Sequence, residues 1–286
     1  MTRRGDREGL LEQALNLINE AKLLTGQEKF DALSQVQEIC FHRDKRLISE
    51  LAPYMAEFQL DPYSSVKIVV LLFLKDATMY DPQQASNLVP MVCFLLHTEE
   101  QKVLLKALGI MRTVYVKILK EVAARPGFDG RGLTLKDWKA LCEVKAAALE
   151  FAIGQKSKGG IQNEFLCATA LKFLQAVLTG ATMLEEGRIS IRARHPFLSQ
   201  SELREESQKI IRCLMNLVDN PKVQGLWYDT SMDILKNLAE KHPSQIMFIA
   251  QQFADKLLSF YPKAIAAQRF GQLSAACLEL LRTARA

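Results

Sequence analysis

The sequence predicts an all-α protein of stacked helical hairpins, and three observations carry that prediction. Apolar residues recur with helical periodicity along nearly all of the 286 residues, and no pair of short alternating strands stands out. Pro62, Pro82, Pro243 and Pro262 each stand at or beside a predicted helix start, where the missing N–H is no loss. The most apolar segment, "DPYSSVKIVVLLFLKDATMYDP", holds an unbroken apolar run from Ile68 to Leu74. That run is far too short for a bilayer, which needs about 20 apolar residues. No Gly or Pro interrupts Pro62 to Tyr80, so the segment reads as one helix apolar on nearly every face. Such a helix must be covered on three sides.

The elements follow in order. Helices are expected near 8–24, 28–42, 45–59, 63–80, 84–97 and 99–123, and the breaker "RPGFDGRG" ends the series. Asp61-Pro62 and Asp81-Pro82 supply the starts of the fourth and fifth, Asp as cap and Pro in the first turn. Further helices are expected near 134–156, 162–183, 200–218, 224–241, 244–260 and 264–284. In "LSQSEL", Ser199 and Glu202 match a capping box, with Leu198 and Leu203 placed as a hydrophobic staple.

These helices pair into about six antiparallel hairpins, and several second helices are the more apolar of their pair. "VKIVVLLFLKDA" and "VLLKALGIMRTV" start 37 residues apart, and "DTSMDILKNLAE" and "RFGQLSAACLEL" start 40 apart. Two-helix units near that length are the signature of a HEAT-type α-α superhelix. Stacking hairpins in order covers each second helix on three sides. The expectation is a single HEAT-repeat domain over residues 1–286, with a long loop near 184–199.

Composition narrows the function. Hydrophobic residues make up 49% and charged residues 24%, a folding composition, and the net charge of +5 is too mild to predict nucleic-acid binding alone. The start "MTRRGDREGLLEQ" reads as no secretory signal peptide, and no charge-free apolar stretch reads as a membrane helix. Six scattered cysteines (Cys40, Cys93, Cys142, Cys167, Cys213, Cys277) lack metal-ligand spacing and read as small buried hydrophobes in a reducing compartment. The four histidines (His42, His97, His195, His242) lie near turns, where exposure is the expectation, and none has a partner spaced for a metal site or dyad. No phosphate loop, dinucleotide fingerprint, nucleophile elbow or zinc-protease motif occurs, so the expectation is no enzyme and no cofactor.

Binding is the better-supported chemistry. Ser64, Lys67, Leu71, Lys75 and Thr78 form one ridge; Lys102, Lys106, Gly109, Thr113 and Lys117 a second; Glu164, Ala168, Lys172, Gln175 and Thr179 a third. If these are inner helices, the ridges line a concave groove for an acidic or phosphorylated partner. The alternatives are lysines that merely solubilise a face, a basic solenoid that tracks RNA or DNA phosphates, or a generic HEAT adaptor in another pathway. Arg188, Arg192 and Arg194 in "EEGRISIRARHPFL" can contact phosphate or carboxylate, or form a solvated linker without interleaved aromatics. Trp138 and Trp227 read as packing residues on predicted helices.

"LINEAKLLTGQEKFDALSQVQEICFHRD", "VKIVVLLFLKDA", "LLHTEEQKVLLKALGIMRTVY", "ATALKFLQAVL", a basic loop ending in "HPFL" and "EESQKIIRCLMNLVDNP" follow in that order. From about Leu10 onward the chain resembles the N-terminal HEAT domain of symplekin and its yeast counterpart, with Lys172-Phe173 and His195-Pro196 as the better marks. The resemblance implies a nuclear, non-enzymatic scaffold of pre-mRNA cleavage and polyadenylation. It also implies that the concave side holds a phosphatase of the RNA polymerase II C-terminal repeats. Lys172 matches the family's lysine and Lys106 a further basic position, whereas Leu166 stands where the family has an arginine. Family members are much longer, so the resemblance implies the first domain of a scaffold or a short relative.

Overall fold

A computed structural model describes residues 2–125, 133–154, 163–192, 195–220 and 222–241. The predicted helices 244–260 and 264–284, with His242 and Cys277, lie outside the described residues. All described regular structure is helical: α1 (Thr2–Leu23), α2 (Gly26–Glu38), α3 (Leu47–Ala56), α4 (Ser64–Tyr80), α5 (Ala85–Leu95), α6 (Gln101–Ala124), α7 (Leu135–Ala152), α8 (Glu164–Glu185), α9 (Gln200–Asp219) and α10 (Gly225–Lys241). The chain forms two compact units, Met1–Ala147 with Ser190–Leu198, and Ala148–Ile189 with Ser199–Ala286. The sequence marks no such division, because Ala147-Ala148 sits in a Gly- and Pro-free helical run.

In the first unit, α1 packs on α2, α3 on α4 and α5 on α6, giving three hairpins. The first helices touch in series (α1 on α3, α3 on α5), and so do the second helices (α2 on α4, α4 on α6). Hairpins stacked in order, with first and second helices in separate layers, make the all-α, HEAT-type fold. In the second unit, α8, α9 and α10 pack mutually. α8 and α10 run parallel. A Cβ on Gly225, at the start of α10, would lie 3.2 Å from Glu164 Oε2, and Leu178 and Leu238 line one groove farther along. Gly225 has φ +57°, which side chains other than glycine's rarely tolerate.

α4 is the centre of the first unit. Val66, Val70, Leu71, Phe73, Leu74 and Ala77 are fully buried, and α2, α3, α5 and α6 all touch the helix. Its start differs from expectation. Asp61 takes the Tyr63 N–H at 3.0 Å in a turn ahead of the helix, and Tyr63, without a side-chain cap, precedes Ser64. Asp81 caps as expected, accepting from Gln83 N–H with Pro82 in the first turn of a short 3-10 segment that leads into α5. Ser199 stands at the N-cap of α9, but its hydroxyl lies 2.6 Å from that of Ser201 and caps nothing. A reciprocal capping box forms at α7 instead: Thr134 N–H donates to Asp137 at 2.8 Å, and Asp137 N–H to the Thr134 hydroxyl at 3.3 Å.

The first unit also repeats its polar contacts. Lys29, fourth residue of α2, pairs with Asp61 ahead of α4 at 2.7 Å; Lys67, fourth residue of α4, pairs with Glu100 ahead of α6 at 2.5 Å. Each cation ties a second helix to the entry of the next. Pro53 in α3 and Pro90 in α5, 37 residues apart, mark the first layer in the same rhythm.

These ties set a pH dependence. Hydrogen bonds from Lys67 and Ser64 hold the Glu100 carboxyl below its usual 4.5. Its contribution is therefore complete above that value and disappears as pH falls through the lower, folded one. We expect Glu100→Gln to flatten the acid limb of the stability curve, measured by denaturant titration at several pH values. Lys67→Met should lower stability at pH 7 by about 1–3 kcal/mol, because a part-buried carboxylate loses its partner. Equal acid limbs for parent and Glu100→Gln would exclude this role.

Candidate protein-binding faces

The ridge expected on α4 is not open. Leu71 and Thr78 are fully buried, Lys67 is buried against Glu100, and Ser64 bonds the same carboxylate. That line faces α6, so the next hairpin covers it. Lys67 is thus an inter-repeat tie rather than a groove cation. The open line of α4 is Ser65, Ile68, Leu72, Lys75 and Met79, with Lys75 held 2.7 Å from Asp76.

α6 matches its expected ridge more closely. Lys102 is exposed, Lys106 and Gly109 half-buried, and Thr113 and Lys120 exposed along one side. Lys102, Lys106 and Lys120 have no ion pair or hydrogen bond among the described residues. Lys117 is engaged: its ammonium donates to the Met79 carbonyl at the end of α4. That carbonyl lacks an intrahelical donor, and a cation there also meets the negative end of the helix dipole.

In the second unit, Ala168 is buried, so the expected ridge of α8 shifts to Phe165, Thr169, Lys172, Gln175 and Thr179. Phe165 is 68% exposed and opens the line. Lys172 is half-buried, with no ion pair or hydrogen bond among the described residues. Beyond it, Gln175, Thr179 and Thr182 of α8 and Ile234, Asn237 and Leu238 of α10 line a groove of about 40 Å³, enough for a water or two. The exposed Phe165 was missed because a lone aromatic in an apolar helix reads as core.

α8 is the one described helix long and apolar enough to cross a membrane, and 61% of its apolar window is buried within the protein. Among the described residues no group of His, Cys, Asp and Glu could hold a metal ion. Burial pushes the thiols up, Cys40 to about 12 and Cys93, Cys167 and Cys213 to about 11, so these cysteines are poor nucleophiles at neutral pH. Cys93 also donates to Glu143 at 3.1 Å.

The arginine loop is a strap. Arg188 pairs with Glu186 at 2.5 Å, and Arg194 lies outside the described residues. Arg192 acts through its backbone N–H, which donates to the Ala123 carbonyl at 3.1 Å. His195, expected to be an exposed turn residue, is half-buried, with Nε2 2.8 Å from the Val122 carbonyl. Its Nδ1 accepts from Leu198 N–H at 2.9 Å, which leaves the proton on Nε2. Val122 and Ala123 belong to the last turn of α6, whose carbonyls lack helical donors, so the strap caps that helix. Phe197 stands edge-on to His195 and near Trp138, their ring centroids 6.5 Å apart. Trp138 and Trp227 are buried as expected, and Trp227 Nε1–H caps α7 at the Ala152 carbonyl, 2.9 Å away.

Stacked hairpins with narrow open strips of mixed charge and apolar character define an interaction scaffold of the helical-repeat class. The chain belongs to the Symplekin/PTA1 N-terminal family, whose model matches residues 100–273, more than half of the chain; the family is one of scaffolds in mRNA 3′-end processing. Among solved structures it is similar to a designed armadillo repeat protein (TM-score 0.48, 13% identity, 93% of this chain and 98% of that one). It is also similar to a computationally designed armadillo repeat protein for modular peptide recognition (TM-score 0.46, 13% identity, 93% and 98%).

The strap yields a prediction. His195→Ala should leave helix content unchanged by circular dichroism. Amide exchange at Arg192 and Leu198 should quicken about five- to tenfold, the worth of roughly one hydrogen bond. Unchanged exchange at both amides would mean that the imidazole does not hold the loop.

Proposed function

We propose that this chain is a non-catalytic, nuclear module of the cleavage and polyadenylation machinery that binds an RNA polymerase II C-terminal-domain phosphatase and supports its activity. The observation that carries the reading is Lys172, a half-buried lysine with no ion pair or hydrogen bond among the described residues, on the open line of α8. An ammonium with no internal contact to break can pair directly with an incoming carboxylate or phosphate. Gln175 adds an amide one turn along the helix. Lys106 and Lys102 of the first unit are the secondary candidates, followed by Lys75, which would have to leave Asp76. Lys67 is withdrawn, because its charge is already spoken for by Glu100. Other cleavage and polyadenylation factors are further candidate partners. Leu166 in place of the family's arginine removes part of the polar contact that the resemblance implies, which counts against the phosphatase reading.

The test is calorimetry of the full chain with the cognate phosphatase, followed by Lys172→Glu. Loss of a desolvated interfacial charge pair is worth about 2–5 kcal/mol, or roughly 30- to 5,000-fold in affinity. Equal binding of parent and variant removes Lys172 from the interface, and absence of binding by the parent removes the phosphatase reading altogether.

A further inference from the structure

The open lines of α4 and α6 lie side by side in the first unit, and their chemistries differ. α4 offers aliphatic side chains, Ile68, Leu72 and Met79, interrupted by the Lys75–Asp76 pair. α6 offers Lys102, Lys106 and Lys120, none with an ion pair or hydrogen bond among the described residues. Between the cations, Gly109 sits in mid-helix, and a Cβ built there meets nothing within 4 Å. A glycine at such a position forgoes the helical preference of alanine and relieves no internal crowding. A close external approach gives it a physical reason.

We propose that this face receives an amphipathic helix of a partner protein. The partner's apolar ridge lies along Ile68, Leu72 and Met79, its acidic flank faces Lys102, Lys106 and Lys120, and it comes nearest at Gly109. Charge complementarity selects the acidic flank: Asp76 is paired with Lys75, and Lys102, Lys106 and Lys120 have no acidic partner among the described residues. Lys102 to Lys120 spans about 27 Å of helix, so the occupant is a helix of about five turns. Aliphatic side chains beside cations suit a helix-in-groove mode, and the two lines carry no aromatic platform on which single-stranded bases would stack. The inference shares Lys75, Lys102 and Lys106 with the phosphatase reading but stands independently, on Gly109 and the aliphatic line.

The probe is a fluorescein-labelled synthetic helical peptide of about 20 residues with a leucine ridge and one glutamate flank. Its twin carries lysines for the glutamates, and a single-stranded RNA oligonucleotide serves as the third ligand. Anisotropy titration of the full chain should show saturable binding of the acidic peptide at least about tenfold tighter than its twin. Gly109→Leu should weaken that binding at least about tenfold by filling the approach, while Gly109→Ala, which should melt no lower than the parent, keeps most of it. Lys106→Glu should shift preference towards the lysine twin. Lys172→Glu should leave peptide binding intact even where it abolishes phosphatase binding, so the two proposals fail separately. Equal affinity for both peptides, or parent-like binding by a folded Gly109→Leu, overturns the proposal. RNA that binds more tightly than the acidic peptide and displaces it would make the face a nucleic-acid surface instead.

Discussion

α4 imposes the constraint on which the first unit depends. A helix apolar on nearly every side has to be enclosed, and α2, α3, α5 and α6 together enclose it. Flanking second helices and a first layer behind supply three walls, which leaves one line without protein cover. The open line and the core are therefore set by the same demand. What remains open is narrow, and it is aliphatic because the helix has little else to show.

Polar chemistry then fixes the order of the stack. A cation in the first turn of one second helix reaches an acid at the entry of the next, once from Lys29 to Asp61 and again from Lys67 to Glu100. Both pairs are partly buried, and part of what they contribute to the fold is register, since a slipped hairpin would strand a charge away from its partner. α6 has Leu104 where α2 and α4 have these lysines, so the series of ties stops there. Its lysines sit on other lines of the helix, and Lys102, Lys106 and Lys120 are left without internal work.

The order and approximate limits of the helices were legible because periodicity and Pro or Gly punctuation report local physics. The division after Ala147 was not, since no breaker marks it. Cap geometry was half legible: Ser199-Glu202 has the right letters but its serine turns to Ser201, while the unremarked Thr134-Asp137 forms the reciprocal bonds. Helical spacing grouped Ser64, Lys67, Leu71, Lys75 and Thr78 on one line, of which Lys75 falls at the open edge. It did not show that a neighbouring helix would cover that line, because coverage is a property of the stack and not of the helix. A register signal was nevertheless present. Lys29 and Lys67 are 38 residues apart, Asp61 and Glu100 are 39 apart, and Pro53 and Pro90 are 37 apart. Read together, these intervals place Lys67 opposite the next hairpin's acid and predict its burial.

The same logic separates lysines that composition treats as equal. Lys67 is neutralised by Glu100, Lys75 is held by its neighbour Asp76, and Lys117 closes the end of α4. An ammonium committed to an internal partner has little left for an external one, because breaking the old contact offsets the new. Lys102, Lys106, Lys120 and Lys172 carry no such debt. Lys106 and Lys172 are also half-buried, so part of each side chain is already covered by the fold. A side chain already partly covered has less freedom to lose, so less ordering opposes binding. Selectivity among the lysines thus follows from the stacking of α4, several residues and one hairpin away from the cations that remain available.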